Sequence, residues 1–162
     1  MDIKKISLLA LFIALSVIGS FIKIPAVVGS IALDAFPALL AVVLIGTTAG
    51  AVVAGMGHMV SAYIGGMTLG PLHIIVAMGM ALIVWVFGVI YKSDRRMLAG
   101  VIFVLCNSFM IPLPFAFIMS MPFYVALIPS LLVGASVNTV IALILIPRVE
   151  TIFQKQLAGV IK

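Results

Sequence analysis

The sequence predicts an all-α integral membrane protein, a bundle of six transmembrane helices with a short C-terminal interfacial helix. Three observations carry that reading. First, 65% of the 162 residues are hydrophobic and only 8% are charged, where soluble domains run near about 45–50% and about 25%. A chain so poor in polar groups cannot cover a globule in water, which excludes a soluble enzyme and a disordered protein alike. Second, apolar runs recur between Pro- and Gly-containing breaks. At about 20 residues per crossing, six spans take about 120 residues and leave short loops, so 1–162 reads as one membrane domain. Third, the nine Lys and Arg segregate. With both termini cytoplasmic, Lys4, Lys5, Lys92, Arg95, Arg96, Arg148, Lys155 and Lys162 share the inner side, and Lys23 stands alone outside. That distribution follows the positive-inside rule and makes the net charge of +5 a matter of topology rather than of nucleic-acid binding.

The elements follow in order. A first helix over 5–22 succeeds a short basic start. No A-x-A-like cleavage site follows it, so it is expected to be retained. Lys23 to Phe36 is a loop broken by Pro25 and Gly29 but otherwise mostly apolar, and is expected to pack back over the bundle. Helices at 32–45 and 49–65 form a pair around Gly46-Thr47-Thr48; re-entrant packing of this pair would reduce the spans to four. Pro71 suits the first turn of a helix over 71–91, because its missing N–H is unpaired there anyway. Lys92, Asp94, Arg95 and Arg96 mark a charged loop, after which 97–111 is helical. Pro112, Pro114 and Pro122 interrupt the chain before a last helix over 123–146, with a kink expected at Pro129. Beyond Pro147, Val149, Ile152, Phe153, Leu157, Val160 and Ile161 recur at helical spacing, which predicts an interfacial helix over 148–161.

Small residues four apart allow close helix approach in lipid. Such stripes occur at Ala10/Ala14, Gly46/Gly50/Ala54, Gly57/Ser61/Gly65 and Gly134/Asn138/Ala142. Most are expected to pack inside the bundle. The Ala10/Ala14 stripe has a second reading, a face for another protein, and periodicity alone does not choose.

Polar side chains within membrane segments are costly and invite a functional reason. The topology brings Lys23, Asp34, His58, Ser61 and His73 toward one outward-facing pocket, with Asn107 and Asn138 deeper. Phe115 and Tyr124, with Met67, Phe117 and Phe123, are candidates for an apolar lid over an aromatic ligand. The plain alternatives are a cap for Asp34, an interhelical hydrogen bond for Asn138 and snorkelling for Lys23. The lone Cys106 forms no internal disulfide, and no CxxC, HxxxH or G-x-x-x-x-G-K spacing exists. No metal site, cofactor or ATP site is therefore expected, and an acidic relay for ion coupling is missing. A transporter built from this chain draws its energy from elsewhere.

These features together resemble the substrate-binding S component of energy-coupling factor (ECF) vitamin transporters, over nearly the whole chain. Ala10-Leu11-Phe12-Ile13-Ala14 is similar to the A-x-x-x-A motif of the family's first helix. Phe36-Pro37-Ala38-Leu39-Leu40 through Gly46-Thr47-Thr48-Ala49-Gly50 resembles its second-to-third helix hairpin. The resemblance implies a subunit that captures a micronutrient at its outer face and topples in the bilayer on meeting a transmembrane coupling subunit. Two ATPase subunits would supply the energy, and Ala10 and Ala14 would contact the coupling subunit. The start Met1-Asp2-Ile3-Lys4 lacks the His-containing site of the metal-uptake branch, which argues against nickel or cobalt. Ile22-Lys23-Ile24-Pro25, Gly29-Ser30-Ile31-Ala32-Leu33-Asp34 and Gly57-His58 look most like members assigned to α-ribazole, a vitamin B12 precursor joining dimethylbenzimidazole to ribose. By that analogy Lys23, Asp34, His58, Ser61, His73, Asn107, Phe115 and Tyr124 would bind substrate; pantothenate or another vitamin is the alternative. Two other classes compete. One is a small intramembrane enzyme using His58 and His73, without an evident nucleophile. The other is a structural subunit whose outer pocket is filled by Phe and Met.

Overall fold

A computed structural model describes residues 3–25 and 30–160; for 23–25, 30–31 and 153–160 the description is of backbone alone. The fold is an all-helical membrane bundle with one short hairpin. Helix α1 spans Ile3–Phe21. Strands β1 (Lys23–Pro25) and β2 (Ser30–Ala32) pair antiparallel, with Ile24 opposite Ile31. Then come α2 (Phe36–Leu44), α3 (Thr47–Ile64), a 3₁₀ turn (Gly70–Leu72) and α4 (His73–Lys92). Helix α5 (Arg96–Leu105) runs into a π turn at Cys106–Met110, followed by α6 (Leu113–Ile118) and α7 (Met121–Val160).

Four stretches are long and apolar enough to cross a membrane: Ile3–Phe21, Gly70–Lys92, Arg96–Ile118 and Met121–Ile152. The other two expected spans are the α2–α3 pair. Helix α2 does not start at 32 but at Phe36, and it has nine residues. At 1.5 Å per residue it is about 13 Å long, under half the hydrocarbon thickness. Pro37 explains the late start. It sits in the first turn, where no N–H is needed; a helix from residue 32 would have carried it in the interior, with its ring against the Leu33 carbonyl. A helix this short is tolerated because it sits inside the bundle. Ala38, Leu39, Ala41 and Val42 are wholly buried, and α2 packs on α1, α3, α4 and α7.

Two further differences concern proline. The chain from Leu113 to Ile118 is a short helix rather than a break, with Pro114 in its first turn. Helix α7 does not end at Pro147; its backbone continues unbroken from Met121 to Val160. The separate helix expected over 148–161 is therefore the last part of α7. Its side chains from Phe153 onward, and residues 161–162, lie outside the described residues. Ser120 opens α7 by accepting the Phe123 N–H on Oγ at 3.3 Å.

Small residues set the helix spacings. A Cβ on Gly57 would stand 2.7 Å from Ser16 Cβ, so α3 lies against the Phe12/Ser16/Gly19/Ser20 face of α1. A Cβ on Gly19 would run into the Leu33 carbonyl, and the Gly19 carbonyl accepts the Leu33 N–H at 3.1 Å. Below these contacts Phe87 of α4 and Phe103 of α5 meet edge to face, with ring centroids 6.3 Å apart, both wholly buried.

Asn138 of α7 ties the hairpin and α2 to the bundle. Its Oδ1 accepts the Ala35 N–H (3.1 Å) and the Phe36 N–H (2.9 Å). Its Nδ2 donates to the Ala32 carbonyl (2.9 Å) and the Gly134 carbonyl (2.9 Å). Helix α2 is thus capped from another helix, and not by Asp34. Asn138→Leu should lower stability by about 2–4 kcal/mol, since it strands two buried donors and a carbonyl. Thermal unfolding in detergent measures the loss, and an unchanged midpoint would refute the clamp.

Candidate ligand site

The α3–α4 connection builds the polar end of the site. Gly66 (φ 88°) and Gly70 (φ 55°) take left-handed backbone conformations that only glycine adopts freely, which lets the chain reverse within a few residues. The reversal sets His73, the first residue of α4, beside His58 in α3. His58 Nε2 lies 3.1 Å from His73 Nδ1, and the Leu69 N–H donates to His73 Nε2 at 3.3 Å. These bonds determine where the protons sit. His73 Nε2 accepts, so in the neutral ring Nδ1 carries the proton and donates it to His58 Nε2. His58, itself neutral, then bears its proton on Nδ1.

Asp34 joins this pair from the β2–α2 connection, outside the helices. It is held from both sides, by the Leu33–Gly19 bond and by the Asn138 clamp on Ala32 and Ala35. Burial pushes its carboxyl up to about 6, against partial relief from the Asp34 and Ala35 backbone N–H groups. Among the described residues it has no ion-pair partner.

Asp34, His58 and His73 line two adjoining cavities. The larger holds about 630 Å³, within the roughly 300–1,000 Å³ common for small-molecule sites. Its walls are mainly apolar, with Met80, Ile111, Phe115, Met119 and Phe123 contributing, and Asn107, Thr68 and Asn138 add polar groups. No Lys or Arg lines it among the described residues. The smaller cavity, of about 180 Å³, adds Ser20 and Ser61. Among the described residues no group of three His, Cys, Asp or Glu side chains is placed to hold a metal ion.

Asn107 reaches the cavity from the π turn. The α-type partner of the Ser108 carbonyl would be Pro112 and that of Met110 would be Pro114, and neither has an N–H. The ladder shifts instead, with the Ile111 N–H bonding the Cys106 carbonyl at 3.0 Å. Tyr124 does not line either cavity. Its hydroxyl donates to the Phe109 carbonyl at 3.3 Å and braces the same turn. Phe117 is 82% exposed and Met67 lines neither cavity, so neither forms the expected lid. The Lys23 side chain lies outside the described residues.

A protein-family model described as "ECF transporter, substrate-specific component" matches residues 4–162. The chain belongs to this family. Among curated proteins, none matches it in sequence. The protein is accordingly a membrane-embedded, substrate-specific subunit of an ECF transporter. In such transporters the S component binds substrate, while a coupling and ATPase module supplies the energy. Sequence reasoning missed Thr68, Met119 and Ser130 of this S component's cavity wall. The α7 face from Phe123 through Leu127, Leu131, Gly134 and Asn138 carries a helical spacing that would have found part of that wall.

The raised Asp34 carboxyl has a consequence for stability. The native protein keeps that proton up to about pH 6, whereas an ordinary carboxyl releases it near 3.8. As pH rises from 4 to 7, the unfolded chain gives up the proton first, so Asp34 makes the ligand-free protein less stable. Asp34→Asn should therefore unfold at a higher temperature than the native sequence at pH 7, with the gap closing toward pH 4. Parallel melting curves across that range would reject the enclosed carboxyl.

Proposed function

We propose that this S component captures a neutral vitamin or vitamin precursor with a flat ring and a hydroxyl-bearing head, α-ribazole being the best candidate. The observation that carries the reading is the larger cavity. It is apolar over most of its wall and polar where Asp34, His58 and His73 meet, and it presents no cation among the described residues. An apolar wall with Phe115, Phe123 and methionines suits an aromatic ring. A carboxylate vitamin such as pantothenate would meet Asp34 there without a compensating Lys or Arg. The space is open rather than filled by Phe and Met, which favours capture over a purely structural subunit. Asp34, His58, Ser61, His73, Asn107 and Phe115 are the proposed binding residues, with Lys23 carried from sequence and Tyr124 acting through the π turn.

The docking face is proposed on α1. Ala10 and Ala14 are exposed, with Leu11, Leu15 and Ile18 beside them. The stripes at Gly50/Ala54 and Gly134/Asn138/Ala142, by contrast, are buried inside the bundle. An unoccupied small-residue face on a membrane helix suits close packing against the transmembrane coupling subunit, on which the loaded protein would topple to release its cargo. The Lys/Arg distribution supports a multi-pass arrangement with both termini in the cytoplasm.

Calorimetric titration of the detergent-purified protein with α-ribazole, pantothenate, riboflavin, thiamine and biotin tests the cargo. Saturable binding of α-ribazole is expected, and binding of pantothenate alone would overturn the choice. Ala10→Trp with Ala14→Trp should abolish co-purification of the coupling subunit and leave ligand affinity within about two-fold. Retained co-purification would remove α1 from the interface.

A further inference from the structure

A residue lining the smaller cavity carries an unexplained polar atom. Ser61 Oγ is buried and has no hydrogen-bond partner. A hydroxyl in a helix can bond the carbonyl four residues back, as those of Ser7 and Thr151 do. Ser61 sits in the same backbone setting and makes no such bond. Ser16, Tyr91, Ser108 and Thr139 also have a buried, unpartnered hydroxyl, yet Ser61 alone among these five lines either cavity. A buried hydroxyl without a partner is costly, and the cavity that Ser61 lines is where a polar group of a ligand can come within reach of it.

The surroundings define which group. The two cavities meet at Asp34, His58 and His73. The tautomers imposed by Leu69 leave the His58 Nδ1–H as a donor with no partner among the described residues. The facing histidine nitrogens, 3.1 Å apart, hold one proton between them, so the pair is neutral as it stands. Asp34 supplies an acceptor, and Ser61 supplies either role. A donor, an acceptor and an amphoteric hydroxyl around about 180 Å³ match the hydrogen-bonding pattern of alcohols. The smaller cavity has under a third of the larger one's volume, about 180 against 630 Å³, so the bulkier ring is assigned to the larger and the head to the smaller. An anionic head would find Asp34 and no cation among the described lining residues.

We propose that the smaller cavity is a second subsite of the ligand site, taking a neutral hydroxyl-bearing head through Ser61, His58 and Asp34 while the ring occupies the larger cavity. The proposal rests on the capture reading above and goes further by dividing the ligand between two compartments. Ser61 becomes a specificity-determining residue, because it touches the head and not the ring.

The test compares each ring with and without its polyol. The full-length protein in detergent is titrated with α-ribazole against 5,6-dimethylbenzimidazole, and with riboflavin against lumichrome. For whichever ring binds, the form bearing the head should bind at least ten-fold more tightly. Ser61→Ala should weaken that form by about 3–10-fold, the span of one hydrogen bond, and leave the bare ring unchanged. Ser61→Val, which also intrudes on the space, should erase the advantage of the head while the bare ring still binds and so reports an intact fold. Equal binding with and without the head, or parallel weakening of both forms by Ser61→Ala, overturns the subsite and leaves capture standing. Absence of binding by all four compounds overturns capture by a flat-ring site, and the subsite falls with it.

Discussion

The hairpin end, the start of α2 and the placement of Asp34 between them depend on one amide. Asn138 uses both of its N–H groups and accepts twice on its oxygen, so its hydrogen-bonding capacity is spent on four backbone atoms. Three of them belong to the short stretch that ends β2 and begins α2. That stretch could not be satisfied otherwise. The Ala35 and Phe36 N–H groups are helix-terminal donors without an intrahelical acceptor, and no side chain of α2 caps them. In a membrane bundle no bulk water is available to replace the missing partners. The clamp permits a nine-residue helix at the centre of the bundle, and the buried helix in turn allows its preceding connection to present Asp34 to the cavities.

Backbone irregularity gathers at the same place. The hairpin, the Gly65–Leu72 connection, the π turn and the Pro112–Pro114 corner all adjoin the larger cavity. Non-helical backbone at membrane depth is tolerated only where protein or a cavity surrounds it. In the π turn Tyr124 satisfies the Phe109 carbonyl and Ile111 the Cys106 carbonyl, and in the α3–α4 connection His73 satisfies the Leu69 N–H. Helices α4 and α5 farther from the cavity are regular and join through the aromatic core of Phe87 and Phe103. Several of the chain's departures from plain helix packing thus gather around the site, where they bring polar residues to the cavity walls.

The membrane class was legible in composition, and the helical regions were legible in the apolar runs between breaks. The convergence of Asp34, His58, Ser61 and His73 followed from topology alone, because an antiparallel α3–α4 pair brings positions 58 and 73 level. What was not legible has physical causes. The start of α2 turned on Pro37, whose position marks a first turn only once the clamp from a residue about a hundred positions away is known. Pro147 was read as a terminator, yet a helix interior can lose one N–H without ending. Tyr124 shares its sequence neighbourhood with Phe123, and sequence alone suggests a common role for the two. The two side chains leave the helix about 100° apart, and only Phe123 reaches the cavity.

A cavity of this kind is expensive when empty. Among the described residues Asp34 is a buried carboxyl without an ionic partner, His58 has an N–H without an acceptor, and Ser61 has a hydroxyl without a partner. Replacing them by apolar groups of similar shape would cost the fold little and would often stabilise it. Their presence is better accounted for by a bound state in which all three find partners. The proposed hydroxyl-bearing head would meet them in groups held by the bonds of Leu69, Gly19 and Asn138, so little ordering would remain to be done on binding. The same groups penalise the wrong ligand, since a bare ring leaves them unpaired and an anion adds repulsion from Asp34. Under the proposed reading, selectivity in a mostly apolar pocket comes less from the fit of the ring than from three polar groups that a hydroxyl-bearing head can satisfy.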